Sequence, residues 1–149
     1  MAARPRGGEW VADEMEAWRA GGVDTVVSLL EADEERELVL NAEADEARAR
    51  GMTFRSFPIP DRQVPSSSRE LSSTLNSIRN DLVMGKNVLV HCRQGIGRTG
   101  LVAACLLIQS GYESDAAVAL LSEARGLPVP ETLEQRRWLD GYARRISAA

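Results

Sequence analysis

The chain has 149 residues and a formal net charge of −4, with 44% hydrophobic and 27% charged residues. That balance suits one soluble globular domain, 1–149, with apolar matter for a single core. No apolar run approaches the roughly 18 residues of a membrane span, and the start lacks a signal peptide's apolar stretch. Two cysteines cannot build a disulfide framework, so the expected setting is the reducing cytoplasm, with no membrane partner.

Trp10, Val11, Met15 and Trp18 recur at helical spacing, and Gly21-Gly22 stops that helix. VDTVVSLL, 23–30, is a short β-branched run that reads as a buried strand. Between Glu31 and Arg50, eight acids and three arginines predict one or two helices with a solvated face. Glu46 and Arg50 are set there for an i,i+4 pair. MTFRSFPI, 52–59, alternates like a strand and runs into a loop with Pro58, Pro60 and Pro65. Ser67 and Glu70 have the spacing of a capping box, and Leu71, Leu75, Ile78 and Leu82 form the stripe of the helix they open. NVLVH, 87–91, is a third strand, and the helix after it, to 111, is apolar nearly all round. Ser114 is placed to cap a helix ending near Arg125, and a last helix spans about 131–146. Strands separated by helices predict an α/β fold, a parallel-dominated central sheet flanked by helices. Ligands of such sheets bind beyond the carboxyl ends of the strands.

Beyond strand 87–91 lies HCRQGIGRTG, 91–100. Its amides and the dipole of helix 98–111 make an anion cradle of phosphate size. The same field favours a thiolate at Cys92. Arg98 supplies a planar fork for two phosphate oxygens. His91, Cys92, Arg98 and Thr99 match every fixed position of His-Cys-x5-Arg-Ser/Thr, so the chain resembles the cysteine-dependent protein tyrosine phosphatases, and among them the compact dual-specificity enzymes. The resemblance implies that Cys92 attacks phosphorus and that Arg93, Gln94, Gly95, Ile96, Gly97 and Arg98 bind the phosphate. It implies further that Thr99 assists departure of the sulfur, and that His91 holds the loop from behind and tunes the thiol. No metal and no organic cofactor enter such a mechanism, and phosphate or sulfate-type anions should occupy the loop. The implied partner is a phosphorylated protein or peptide.

The family's general acid is an aspartate on an upstream loop. Asp61, in FPIPDRQVPSS about 30 residues before Cys92, matches it better than Asp81 or Asp115. PETLEQRRWL, 130–139, resembles the segment whose glutamine positions water, which makes Gln135 the matching residue. Arg62 would stand on the rim with Arg93, Gln94 and Ile96. Cys105 and the three tryptophans read as core or core-edge residues. Family members usually begin with a strand, and the segment before Trp10 is short for one. A silent phosphate-binding module would lack the nucleophile, arginine or acid, and a rhodanese-type sulfurtransferase would lack this spacing. The acidic chain has no basic tract, which argues against nucleic acid as its partner. Oligomeric state is not legible.

Overall fold

The computed structural model describes residues 1–149. Three parallel strands, β1 (Thr25–Ser28), β2 (Thr53–Ser56) and β3 (Val88–His91), lie in the order β2-β1-β3. Thr25 of β1 sits beside both Thr53 and Val88, and Ser28 beside both Ser56 and His91. The strands are therefore flush at their carboxyl ends. Seven α-helices complete the fold: α1 (Val11–Ala20), α2 (Ala32–Glu37), α3 (Glu43–Ala49), α4 (Ser68–Val83), α5 (Gly97–Gln109), α6 (Ser114–Arg125) and α7 (Leu133–Ala148).

The central strand is wholly buried, which its apolar, β-branched sequence anticipates. Alternation along it feeds two cores. Val27 and Leu29 join the larger one with residues of α4, α5, α6 and α7, whereas Val26 and Leu30 join the smaller one with Val11, Met15 and Ala47. The same period sends Val90 and His91 to opposite faces of the sheet. Trp18, on the α1 side, has its ring 5.9 Å from that of His91. Residues before Trp10 do reach the sheet: Ala2 bridges His91 in parallel, and its N–H donates to the Val90 carbonyl at 3.0 Å.

Several local expectations change. Glu34 and Glu43 are only 6% and 1% exposed, so the acidic segment is not simply a solvated face. Leu82 is half-exposed, while Asp81 beside it is buried and accepts hydrogen bonds from the Arg55 guanidinium (2.6 Å) and the Thr25 hydroxyl (3.0 Å). Helical rotation put Asp81 inward because two polar partners wait on the sheet. Ser67 does cap α4, accepting from the Glu70 N–H at 3.2 Å. Ser114 caps nothing; it donates to Asp140 of α7 at 2.6 Å. Trp10 lies on the surface under Arg6, whose guanidinium is 4.6 Å from the ring centre. Trp18 and Trp138 are core-edge residues as expected.

Candidate active site

β3 ends at His91 and α5 begins at Gly97, so 92–96 turn directly from a sheet end into the N-terminus of a buried helix. Cys92 is buried, and its Sγ accepts from the Gly95 N–H at 3.3 Å. Gly95 has φ +73°, and a Cβ there would lie 2.4 Å from the Ala2 carbonyl carbon and oxygen. Only glycine allows both that backbone and the passage of the N-terminal segment. On the outside of the loop, Arg125 of α6 donates to the carbonyls of Gly95 (3.0 Å) and Gln94 (2.9 Å). Arg125 is not in the pocket lining. Those oxygens, which would repel an anion, are thereby engaged away from it.

Arg98 is 2% exposed, and its charge is fully met. Glu34 accepts from it as a fork, Nη1 to Oε1 at 2.6 Å and Nη2 to Oε2 at 3.0 Å. Nη1 also donates to the Ile59 carbonyl at 2.9 Å, and Nη2 to Asp61 Oδ1 at 3.0 Å. Burial pushes the Glu34 carboxyl up. The Arg98 hydrogen bonds, the Glu31 N–H and the nearby guanidinium charges outweigh it and hold Glu34 below its ordinary range. Arg93 turns partly the same way, with Nε 3.4 Å from Glu34 and Nη2 3.2 Å from Glu37.

Asp61, Cys92, Arg93, Gln94, Gly97 and Arg98 line one small polar pocket, and Glu131 is the seventh member. Arg62 and Ile96 are not in the lining. Arg62 instead holds Glu131 at 2.7 Å from a left-handed backbone, φ +62°. Gln135 is fully buried and also outside the lining. Its Oε1 accepts from the N–H groups of Glu131 (3.1 Å) and Thr132 (3.2 Å), closing a capping box at the start of α7. Its Nε2 donates to the Gln63 carbonyl at 2.9 Å, which ties the loop bearing Asp61 to α7. Thr99 is buried, and its hydroxyl has no hydrogen-bond partner. His91 is buried with Nδ1 3.2 Å from the Cys92 carbonyl and Nε2 2.5 Å from Glu43 Oε1. Cys105 lies in the core with its thiol pushed far up by burial, which suits packing and not reactivity.

Glu34, Glu43, Arg125 and Glu131 are the site residues that sequence reading passed over. Only Glu131 carried a signal, standing beside the capping box of a segment already singled out. The other three become visible when helices distant in sequence are packed on the loop.

The family described as "Polymorphic toxin system, DSP-PTPase phosphatase" matches residues 1–112. The chain belongs to that family. Cyclin-dependent kinase inhibitor 3 of Rattus norvegicus is 30% identical over 103 residues, covering 66% of this chain and 47% of that protein. Dual specificity protein phosphatase 2 of Mus musculus is 33% identical over 81 residues, covering 52% of this chain and 24% of that protein. The chain thus spans about half the length, or less, of these two relatives. Among solved structures, kinase associated phosphatase with serine in place of its catalytic-site cysteine superposes with a TM-score of 0.90. At 21% identity, over 99% of this chain and 86% of that one, it is a likeness of fold. Tk-PTP in its active form gives 0.78 at 33% identity, over 90% and 86%. The α/β fold of this family is the one the strand and helix pattern predicted.

Proposed function

We propose that the chain hydrolyses phosphate monoesters through a cysteinyl-phosphate, acting on phosphorylated protein or peptide. The carrying observation is the convergence of Cys92, Arg98 and Asp61 on one polar pocket at the N-terminus of α5. In this reading Cys92 Sγ attacks phosphorus while the bond to the leaving oxygen breaks, and protonated Asp61 gives that oxygen its hydrogen. The amides of 93–98 and Arg98 hold the three equatorial oxygens as charge spreads over them. Glu34 keeps the guanidinium in place from behind, and an incoming phosphate oxygen replaces Asp61 on Nη2. That exchange frees Asp61 to face the leaving group.

Water then attacks phosphorus, Asp61 takes its proton, and the P–S bond breaks. Thr99 stabilises the departing sulfur, a role supported by its buried hydroxyl, which has no hydrogen-bond partner. Gln135, held in the α7 cap, acts through the Gln63 carbonyl on the position of the acid loop. His91 supports the loop from the opposite face of the sheet. One specific observation favours a second assignment of the acid: Glu131 lines the same pocket, paired there with Arg62 as Asp61 is with Arg98.

No aromatic side chain lines the pocket, which supports phosphoserine and phosphothreonine as substrates beside phosphotyrosine. No helix is long and apolar enough to cross a membrane. The cytoplasmic setting belongs to this proposal and is supported by the two free cysteines. The test is hydrolysis of p-nitrophenyl phosphate and of phosphopeptides in EDTA. Turnover that survives the chelator and vanishes in Cys92→Ser supports the reading. Turnover that needs added metal, or persists in the serine variant, overturns it.

A further inference from the structure

The arginines around the pocket are all paired with carboxylates of the same chain. Arg98 beneath it is forked by Glu34 and touches Asp61. Arg93, next to the nucleophile, reaches Oε2 of that same Glu34 at 3.4 Å and Glu37 at 3.2 Å. Charge therefore alternates outward, from Arg98 through Glu34 and Arg93 to Glu37. The series ends on a carboxylate, since the Glu37 side chain is 68% exposed. Beside the acid, Arg62 is held by Glu131, which also lines the pocket. Cations close by but outside this set are turned elsewhere. Arg125 donates to the outer carbonyls of the loop, with the Met1 amino group near it, and Arg4 donates to the Pro5 carbonyl. None of these three lines the pocket.

We infer that Glu37, acting on Arg93, is a specificity-determining residue: the site takes phosphopeptides whose neighbouring residues are basic or neutral and disfavours acidic or doubly phosphorylated ones. The inference rests on the phosphatase reading above and deepens it. When Asp61 carries the hydrogen it donates, the charges of Arg62, Arg93 and Arg98 are cancelled by Glu34, Glu37 and Glu131. The side chains around the pocket then hold no surplus cation for a second anion. The one phosphate is met by Arg98, the loop amides and the start of α5. An acidic neighbour beside it meets Glu37 and Glu131 at the mouth, and like charges repel. A lysine or arginine there is attracted by the same two carboxylates. This balance does not depend on either exposed pair staying closed, because both members are tethered beside the mouth. The chain's net charge of −4 acts in the same direction at longer range.

Two phosphotyrosine peptides test this, identical except for lysine or glutamate on each side of the phosphorylated residue. Their affinities for the Cys92→Ser protein are measured by fluorescence anisotropy, which needs no turnover. At low salt the lysine peptide should bind roughly tenfold more tightly, several weak exposed charge contacts acting together. The ratio should approach one near 1 M salt, where charges are screened beyond about 3 Å. Glu37→Lys in the same background should lower the low-salt ratio by about threefold or more, and Glu37→Gln by less. Because the readout is a ratio, a uniform change in phosphate affinity cancels. If the lysine variant disturbs the loop, the glutamine variant decides. Equal affinities, tighter binding of the glutamate peptide, no binding of either, or a ratio unmoved by both substitutions overturns the inference. Failure of the phosphatase reading looks different: wild-type protein leaves both peptides unhydrolysed while the ratio of affinities stands.

Discussion

Replacing Arg98 by lysine keeps the charge and removes the fork. In the structure that fork engages Glu34 on one side and reaches Asp61 on the other, and a single ammonium spans neither pair. Turnover by Arg98→Lys should fall roughly a hundredfold or more, the scale of losing a strong oxyanion donor. A near-native rate would show that Arg98 does not touch the transferred group. Asp61→Ala addresses the acid. It should cost about a hundredfold on alkyl phosphates or phosphotyrosine peptide and far less on substrates whose leaving group departs as a stable anion. The pH profile should lose its basic limb, because that limb reports the ionisation of the donor. Equal losses across leaving groups, together with leaving-group dependence appearing in Glu131→Gln, would move the role to Glu131.

At the scale of elements, what was legible followed from local pattern. The three strands, the loop 91–100 and the buried helix behind it show in apolar runs and glycines, and the structure sets them within a few residues of expectation. Cys92, Arg98 and Asp61 were legible as types and spacings, and they meet in one pocket. The acidic stretch was misread because periodicity reports which face of a helix is apolar. It cannot report that a buried arginine and a buried histidine, 64 and 48 residues onward, are the hydrogen-bond partners of Glu34 and Glu43. Asp81 and Leu82 exchanged places for the same reason, with Arg55 and Thr25 as the distant partners. The burial of α2 against Arg98 has an expected consequence. Glu34→Gln leaves a buried guanidinium short of its carboxylate, and urea denaturation should show a loss of about 3 kcal/mol.

For the whole molecule, these buried ion pairs set the response to acid. Glu34 is held below its ordinary range as described above. At Asp81, burial pushes upward but Arg55 and Thr25 hydrogen bonds outweigh it, and the net direction is again down. A carboxyl lowered by folding contributes stability that is fully present above its unfolded value and lost as pH falls through the folded one. Stability to urea should therefore drop between pH 6 and pH 3, and Glu34→Gln should drop less over that interval. Glu35, raised by burial, runs oppositely, since its stabilising protonated form is lost as pH rises. An equal decline in wild type and variant would show that Glu34 does not carry this dependence.

The two cores, one on each face of the sheet, meet at the carboxyl end of β3, where Cys92 comes from the α4–α7 side and His91 from the α1–α3 side. The central claim is that Cys92 becomes covalently bonded to phosphorus during turnover. Rapid acid quench of the protein mixed with phosphopeptide, followed by peptide mass spectrometry, tests it most directly. Phosphate should appear on Cys92 within the first turnover and be absent from Cys92→Ser. Phosphate found on another side chain, or turnover with no phosphorylated enzyme at any quench time, would contradict it.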